Sequence, residues 1–185
     1  MLRTSHQVLF WLVFESMRVL FDALRALVYA TGFVLLCGWI ALAVRPYDEG
    51  LGIVLPAWTV MLGVLSMLIG GICVLLCMGT FVVWGRGTPA PFDAPRRFVS
   101  VGPYKYVRNP MYIGAWMLLF GFGLYLRSFS ILLLSVASLV LAHLFVILYE
   151  EPHLRDRFGA SYEEYRNSVP RWTPTLSRAQ QRGID

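Results

Sequence analysis

The sequence predicts an all-α polytopic membrane protein: four transmembrane helices, an N-terminal amphipathic helix and a cytoplasmic C-terminal helical segment. Three observations carry that prediction. Of 185 residues, 57% are hydrophobic and 15% charged, and the mean hydropathy is +0.61. A soluble domain has about 45–50% apolar and about 25% charged residues, so this chain lacks the charge for a water-facing surface. Four runs carry no charge at all, residues 26–44, 50–85, 109–126 and 128–149. If each crosses once, 14 of the 16 Lys and Arg share one side, leaving Arg45 and Arg127 opposite. Three or five crossings would scatter those charges, and the positive-inside rule places both termini in the cytoplasm.

The same numbers exclude an ordinary soluble domain, a disordered chain and a nucleic-acid binder, despite the net charge of +5. The length suits one domain spanning 1–185. Cys37, Cys73 and Cys77 lie within apolar runs and read as small apolar residues, not as a disulfide framework or a metal site.

The elements follow in order. Residues 1–25 place Phe10, Phe14, Met17, Phe21 and Leu24 at helical spacing, with Glu15, Arg18, Asp22 and Arg25 among them. That pattern fits an amphipathic helix on the membrane surface. No small-residue cleavage site follows the apolar stretch 8–14, so a signal peptide is not expected. Crossing requires about 20 apolar residues for a core of about 30 Å, which runs one, three and four each supply once. Run two, 50–85, is too short for two crossings and a turn. With Pro56 at its entry, its helix is expected over 57–84. Gly63, Ser66, Gly70 and Gly71 in span two, and Gly114, Gly121 and Gly123 in span three, read as packing seams. Only a few residues around Arg127 and Ser128 separate spans three and four, which must form an antiparallel hairpin. His143 in span four reads as a buried histidine hydrogen-bonded to a neighbouring helix. His6 and the Asp48-Glu49 pair read as solvated surface, and 87–91 as a flexible loop able to gate a site.

Polar residues concentrate at 85–109 and 150–185, which the hairpin joins in space. At the start of span three, Asn109 suits the N-cap and Pro110 the first helical position, offering free N–H groups and the positive dipole end to an anion. At the end of span four, Glu150 and Glu151 sit on a negative helix end that Pro152 is expected to terminate. One mouth then suits a ligand carrying a carboxylate, an ammonium and a cationic centre. Beyond it, Gly159 is expected to end a helix, and Ser161 with Glu164 to form a capping box. Residues 150–174 form this closing segment, which carries Trp172, and 175–185 a flexible tail.

The stretch Gly102-Pro103-Tyr104-Lys105-Tyr106-Val107-Arg108-Asn109-Pro110-Met111-Tyr112-Ile113-Gly114 bears a resemblance, together with the later Glu150-Glu151, Leu154, Phe158-Gly159, Tyr162, Tyr165 and Val169-Pro170-Arg171-Trp172-Thr173-Pro174. Together these resemble the isoprenylcysteine carboxyl methyltransferase family, whose Arg-His-Pro-x-Tyr helix start is followed one span later by paired glutamates. Integral membrane phospholipid methyltransferases share the glutamate pair. The resemblance covers about 99–174 and implies S-adenosylmethionine as cofactor, at the cytoplasmic mouth between the last two spans. By position it implies that Tyr106, Arg108, Asn109, Pro110, Tyr112 and Gly114 line the cofactor on one side and Glu150 and Glu151 on the other. Tyr162, Tyr165 and Arg171 would close over it. Asn109 departs from the family's histidine; asparagine does not titrate near neutral pH.

The implied reaction is methyl transfer to a lipid or lipidated acceptor reached from the bilayer, first of all the carboxylate of an isoprenylcysteine-like acid. Arg108 or Arg171 would hold the acceptor's carboxylate or phosphate. A phospholipid amine is the near alternative, and would need a base, for which Glu151 and His153 are candidates. An NADPH-dependent sterol reductase and a non-enzymatic membrane scaffold are the rivals from other classes. A bacterial inner membrane is the expected location, an internal eukaryotic membrane the alternative.

Overall fold

The computed structural model describes residues 5–85, 88 and 98–174, without the side chains of residues 5, 6, 8 and 9. The expected gating loop at 87–91 (Thr88 apart), the expected tail at 175–185 and the side chain of His6 lie outside the described residues. Every element among those residues is helical. Helix α1 spans Ser5–Val44; a 3₁₀ turn, Arg45–Tyr47, leads to the short α2, Asp48–Leu51. Helix α3, Thr59–Thr80, ends in a π segment, Phe81–Gly85. A 3₁₀ turn at Gly102–Lys105 precedes α4, Pro110–Tyr125. Helix α5, Phe129–Phe145, passes through a second π segment, Val146–Glu150, into α6, Glu151–Phe158, and α7, Ala160–Ser168, follows.

Among the described residues, three stretches are long and apolar enough to cross a membrane: Phe10–Leu51, Thr59–Gly85 and Phe129–Phe158. Their large apolar side chains point outward, among them Leu20, Leu35, Trp39, Met61, Leu75, Leu141 and Leu148. In water such a surface would aggregate; in hydrocarbon it is the solvated state. The fourth expected span is α4, whose 16 residues rise about 24 Å at ~1.5 Å each. Asn109-Pro110 fixes its start, and a left-handed Arg127, with φ of 54°, fixes the turn after it.

The expected boundary between a surface helix and span one at Arg25 is absent, because α1 runs unbroken for 40 residues. No Pro or Gly falls between Ser5 and Thr31 to break it. The charges that suggested a boundary neutralise one another along one face: Arg18 pairs with Glu15 at 2.6 Å and with Asp22 at 3.4 Å, and Arg25 pairs with Asp22 at 2.6 Å. Ala26 then packs with Met78 and Val82 beside the end of α3.

Helices α3 and α4 are bound by an antiparallel ladder of small residues. Thr59 Oγ1 reaches the carbonyl of Leu124 (3.3 Å), Ser66 Oγ that of Met117 (2.9 Å), and Cys73 Sγ that of Pro110 (3.3 Å). Between these rungs, Gly63 meets Gly121 and Gly70 meets Gly114. A Cβ on Gly63 would stand 2.6 Å from the Gly121 carbonyl, and one on Gly70 2.6 Å from that of Gly114. The rungs at 59, 63, 66, 70 and 73 alternate by four and three, the spacing of one helix face. This confirms the seam read from the sequence and fixes the depth of Asn109 against α3.

The hairpin between α4 and α5 is also as expected. Ser128 caps α5 by accepting the Ile131 N–H at 3.2 Å, and Gly123 packs on Leu132. Asp48 is not idle surface: its carboxylate accepts the Ser130 N–H at 2.7 Å, while Arg127 Nε donates to the Leu55 carbonyl at 2.7 Å. The loop between α1 and α3 is thereby tied to the turn. Ser128→Ala is expected to lower stability by about 1 kcal/mol, the usual worth of an N-cap, measured by thermal unfolding in detergent.

Candidate active site

At the opposite end of the hairpin, the start of α4 lies beside the second π segment. A cavity of about 120 Å³ opens there, lined by Arg108, Asn109 and Tyr112 on one side and Glu150 and Glu151 on the other.

Two carboxylates that are consecutive in sequence take opposite jobs. Consecutive helical residues point about 100° apart, and here Glu150 turns to α4, where it accepts the Tyr112 hydroxyl at 2.8 Å. Glu151 turns to the loops and is 7% exposed. It accepts Arg108 at 2.9 Å and both Nε and a terminal nitrogen of Arg171, at 2.7 and 2.9 Å. A guanidinium fork on a carboxylate is a strong, directional pair. Arg108 Nε is buried without a hydrogen-bond partner.

The helix does not end at Pro152 as expected. It continues to Phe158, so the negative charge of the mouth comes from the two carboxylates and not from a helix terminus. Proline lacks an N–H and crowds the carbonyl four residues back. The chain absorbs this by widening into the π segment, where the Glu151 N–H reaches the Val146 carbonyl. Such bulges are frequent at functional sites. Nor does Asn109 cap α4 with its side chain; its Nδ2 donates to the Arg171 carbonyl at 3.2 Å. The Ser161–Glu164 capping box is absent too: Ser161 Oγ donates to the Phe158 carbonyl, and Gly159, at φ 53°, occupies the N-cap while ending α6 as expected.

Residues 169–172 lie across this assembly as a strap. The Arg108 N–H donates to the Pro170 carbonyl at 2.9 Å, Arg171 binds Glu151, and Trp172 Nε1 donates to His143 Nδ1 at 2.9 Å. His143 therefore does have a partner, but it belongs to the strap and not to a helix. Tyr162 and Tyr165 line the cavity and pack with Phe98, Leu154 and Phe158. Burial pushes the Tyr165 phenol above its ordinary value, so it stays protonated and donates to the Tyr104 carbonyl at 2.7 Å.

Of the residues named from sequence, Arg108, Asn109, Tyr112, Glu150, Glu151, Tyr162 and Tyr165 line the cavity, and Arg171 anchors to it through Glu151. Tyr106 is exposed and outside the lining. Pro110 and Gly114 are turned to α3, on Cys73 and Gly70. Phe98, Val99 and Tyr104 reach the cavity from a loop whose sequence has no periodic signal. Phe145 and Tyr149 also line it, as does His153, the candidate base named from sequence. Their spacing of four was a legible stripe; the Tyr149 and His153 rings stack at 6.1 Å and 4°.

A family model described as phospholipid methyltransferase matches residues 58–161, more than half of the chain. The chain belongs to this family of integral membrane methyltransferases. It is 41% identical over 80 residues to a protein-S-isoprenylcysteine O-methyltransferase of Schizosaccharomyces pombe, covering 42% of this chain and 33% of that protein. It is 32% identical over 84 residues to a methanethiol S-methyltransferase of Crocosphaera subtropica, covering 45% of this chain and 32% of that protein. The chain thus aligns with about a third of the length of each relative.

Proposed function

We propose that the protein transfers a methyl group from S-adenosylmethionine to a lipophilic acceptor, first of all the carboxylate of an isoprenylcysteine-like acid. The observation that carries this reading is the division of labour between Glu150 and Glu151. Glu150, bonded to the Tyr112 hydroxyl, is available at the cavity wall for an ammonium or for ribose hydroxyls. Arg108 lines the cavity, where its guanidinium is available for a carboxylate. The aromatic lining offers ring faces to a sulfonium or an adenine. This donor set suits a zwitterion with a third, cationic centre. When bound, S-adenosylmethionine supplies a methyl group made electrophilic by the positive sulfur.

The pairing of Glu151 favours an acceptor that is already an anion. Held by two guanidiniums, Glu151 is poorly placed to take a proton, so it serves as the keystone that fixes Arg108 and Arg171. A carboxylate acceptor needs no base; its attack brings two opposite charges together, and the chain's task is alignment and exclusion of water. Phe81, Phe98, Val99 and Phe145 add apolar wall for that purpose. The yeast relative's name speaks for the same acceptor.

We read α4 as a fourth crossing, antiparallel to α5, with the cavity and both termini on the cytoplasmic side of a bacterial inner membrane. Labelled methyl transfer into lipid extracts tests the acceptor. Base-labile label, an ester, is the expected product; base-stable label would replace the carboxylate with an amine or a thiol.

A further inference from the structure

We propose that His143 is a positioning residue of the donor site, acting through Trp172; this rests on the methyltransferase reading above. His143 stands on α5, one turn before the π segment, and is not among the cavity-lining residues. Its Nδ1 accepts the indole N–H of Trp172 at 2.9 Å, which places the ring proton on Nε2. The two rings lie 5.9 Å apart. Trp172 in turn stands edge-on to Tyr112, with centroids 6.4 Å apart and planes at 75°. Tyr112 delivers its hydroxyl to Glu150.

The strap therefore has three moorings on different parts of the site. Pro170 and Arg171 hold the loop before α4, through the Arg108 N–H and Asn109 Nδ2. The Arg171 guanidinium holds the start of α6 at Glu151. Trp172 holds α5 at His143. The third mooring sets the Trp172 ring against that of Tyr112. Without it, the Tyr112 ring gains room to turn, and the Tyr112–Glu150 bond loses its fixed geometry. His143 thereby sets the shape of the wall that receives the donor without touching it.

S-adenosylhomocysteine is the probe, titrated by calorimetry into the full-length detergent-solubilised protein. His143→Ala and Trp172→Phe are each expected to weaken its binding about three- to tenfold, the worth of one net hydrogen bond. The double variant is expected to be no weaker than the weaker single one, because both remove the same bond. His143→Asn, whose Oδ1 can replace Nδ1 as acceptor, is expected to recover most of the affinity. In turnover the loss is expected in KM for S-adenosylmethionine more than in kcat. Additive losses in the double variant, or no recovery by asparagine, would overturn the proposal. A second readout needs no ligand: hydrogen exchange at the Arg108 amide, which the strap protects, is expected to quicken in His143→Ala and stay slow in His143→Asn. Unchanged exchange in His143→Ala would refute the mooring. Wild-type protein that binds no probe would refute the donor reading, while the exchange result still decides the mooring.

Discussion

Replacing Glu151 by alanine is expected to cost about 3 kcal/mol of stability and to abolish binding of the methyl donor. The carboxylate is almost wholly buried and carries three charge-assisted bonds from Arg108 and Arg171. Its removal leaves two guanidiniums facing each other with no counter-charge, the circumstance in which breaking a buried pair costs most. Arg171 is partly exposed and can turn to water, which holds the loss at the lower end of the usual range. The strap loses its central mooring at the same time. Glu151→Gln keeps the shape and two acceptor lone pairs but not the charge, so a loss of about half that size is expected. Thermal unfolding in detergent, with and without S-adenosylhomocysteine, measures both effects. An alanine variant that melts with the wild type and still binds would remove Glu151 from the site.

Gly70→Ala is the second large effect. The new Cβ would stand 2.6 Å from the Gly114 carbonyl and 2.9 Å from Met117 Cβ, and the nearest atom belongs to backbone that cannot swing aside. Overpacking of this kind costs about 1–3 kcal/mol. Separation of α3 from α4 also displaces Asn109 and Tyr112, so donor affinity is expected to fall with stability. Gly79→Ala on the same helix is the control. Nothing lies within 4 Å of its Cβ position, and removing a helical glycine is worth up to about 1 kcal/mol in the opposite direction. Melting temperatures that move alike in the two variants would contradict the seam.

Much of this arrangement was legible in the sequence because it is written in local patterns. Uncharged runs located the apolar helices, the short link at Arg127 and Ser128 required the hairpin, and the glycines marked the α3–α4 seam. Once the hairpin is given, Asn109 and Glu150 must lie at one end of it. What escaped depends on distant partners. Asn109 has the residue type of a cap, but the Arg171 carbonyl, 62 positions on, competes for its amide. Pro152 ordinarily stops a helix; here a π segment absorbs it, and that choice is made by tertiary packing around Glu150. The charges at 15, 18, 22 and 25 looked like a boundary because their pairing with one another along α1 was not counted. Trp172 and His143 stand 29 positions apart, and neither belongs to a motif that would have joined them.

The account's central claim is that the amino end of α4 and the glutamates after α5 form one receptor for a zwitterionic methyl donor. The most direct measurement is the thermal stability of the detergent-solubilised protein titrated with S-adenosylmethionine, S-adenosylhomocysteine and NADPH. A ligand that binds only the folded state raises stability, by about 2.7 kcal/mol at a hundred times its Kd. Both adenosyl compounds are predicted to stabilise the wild type, NADPH to have no effect, and Glu150→Ala to lose the response to the adenosyl compounds while remaining folded. Stabilisation by NADPH alone, or an undiminished response to the adenosyl compounds in Glu150→Ala, would contradict the claim.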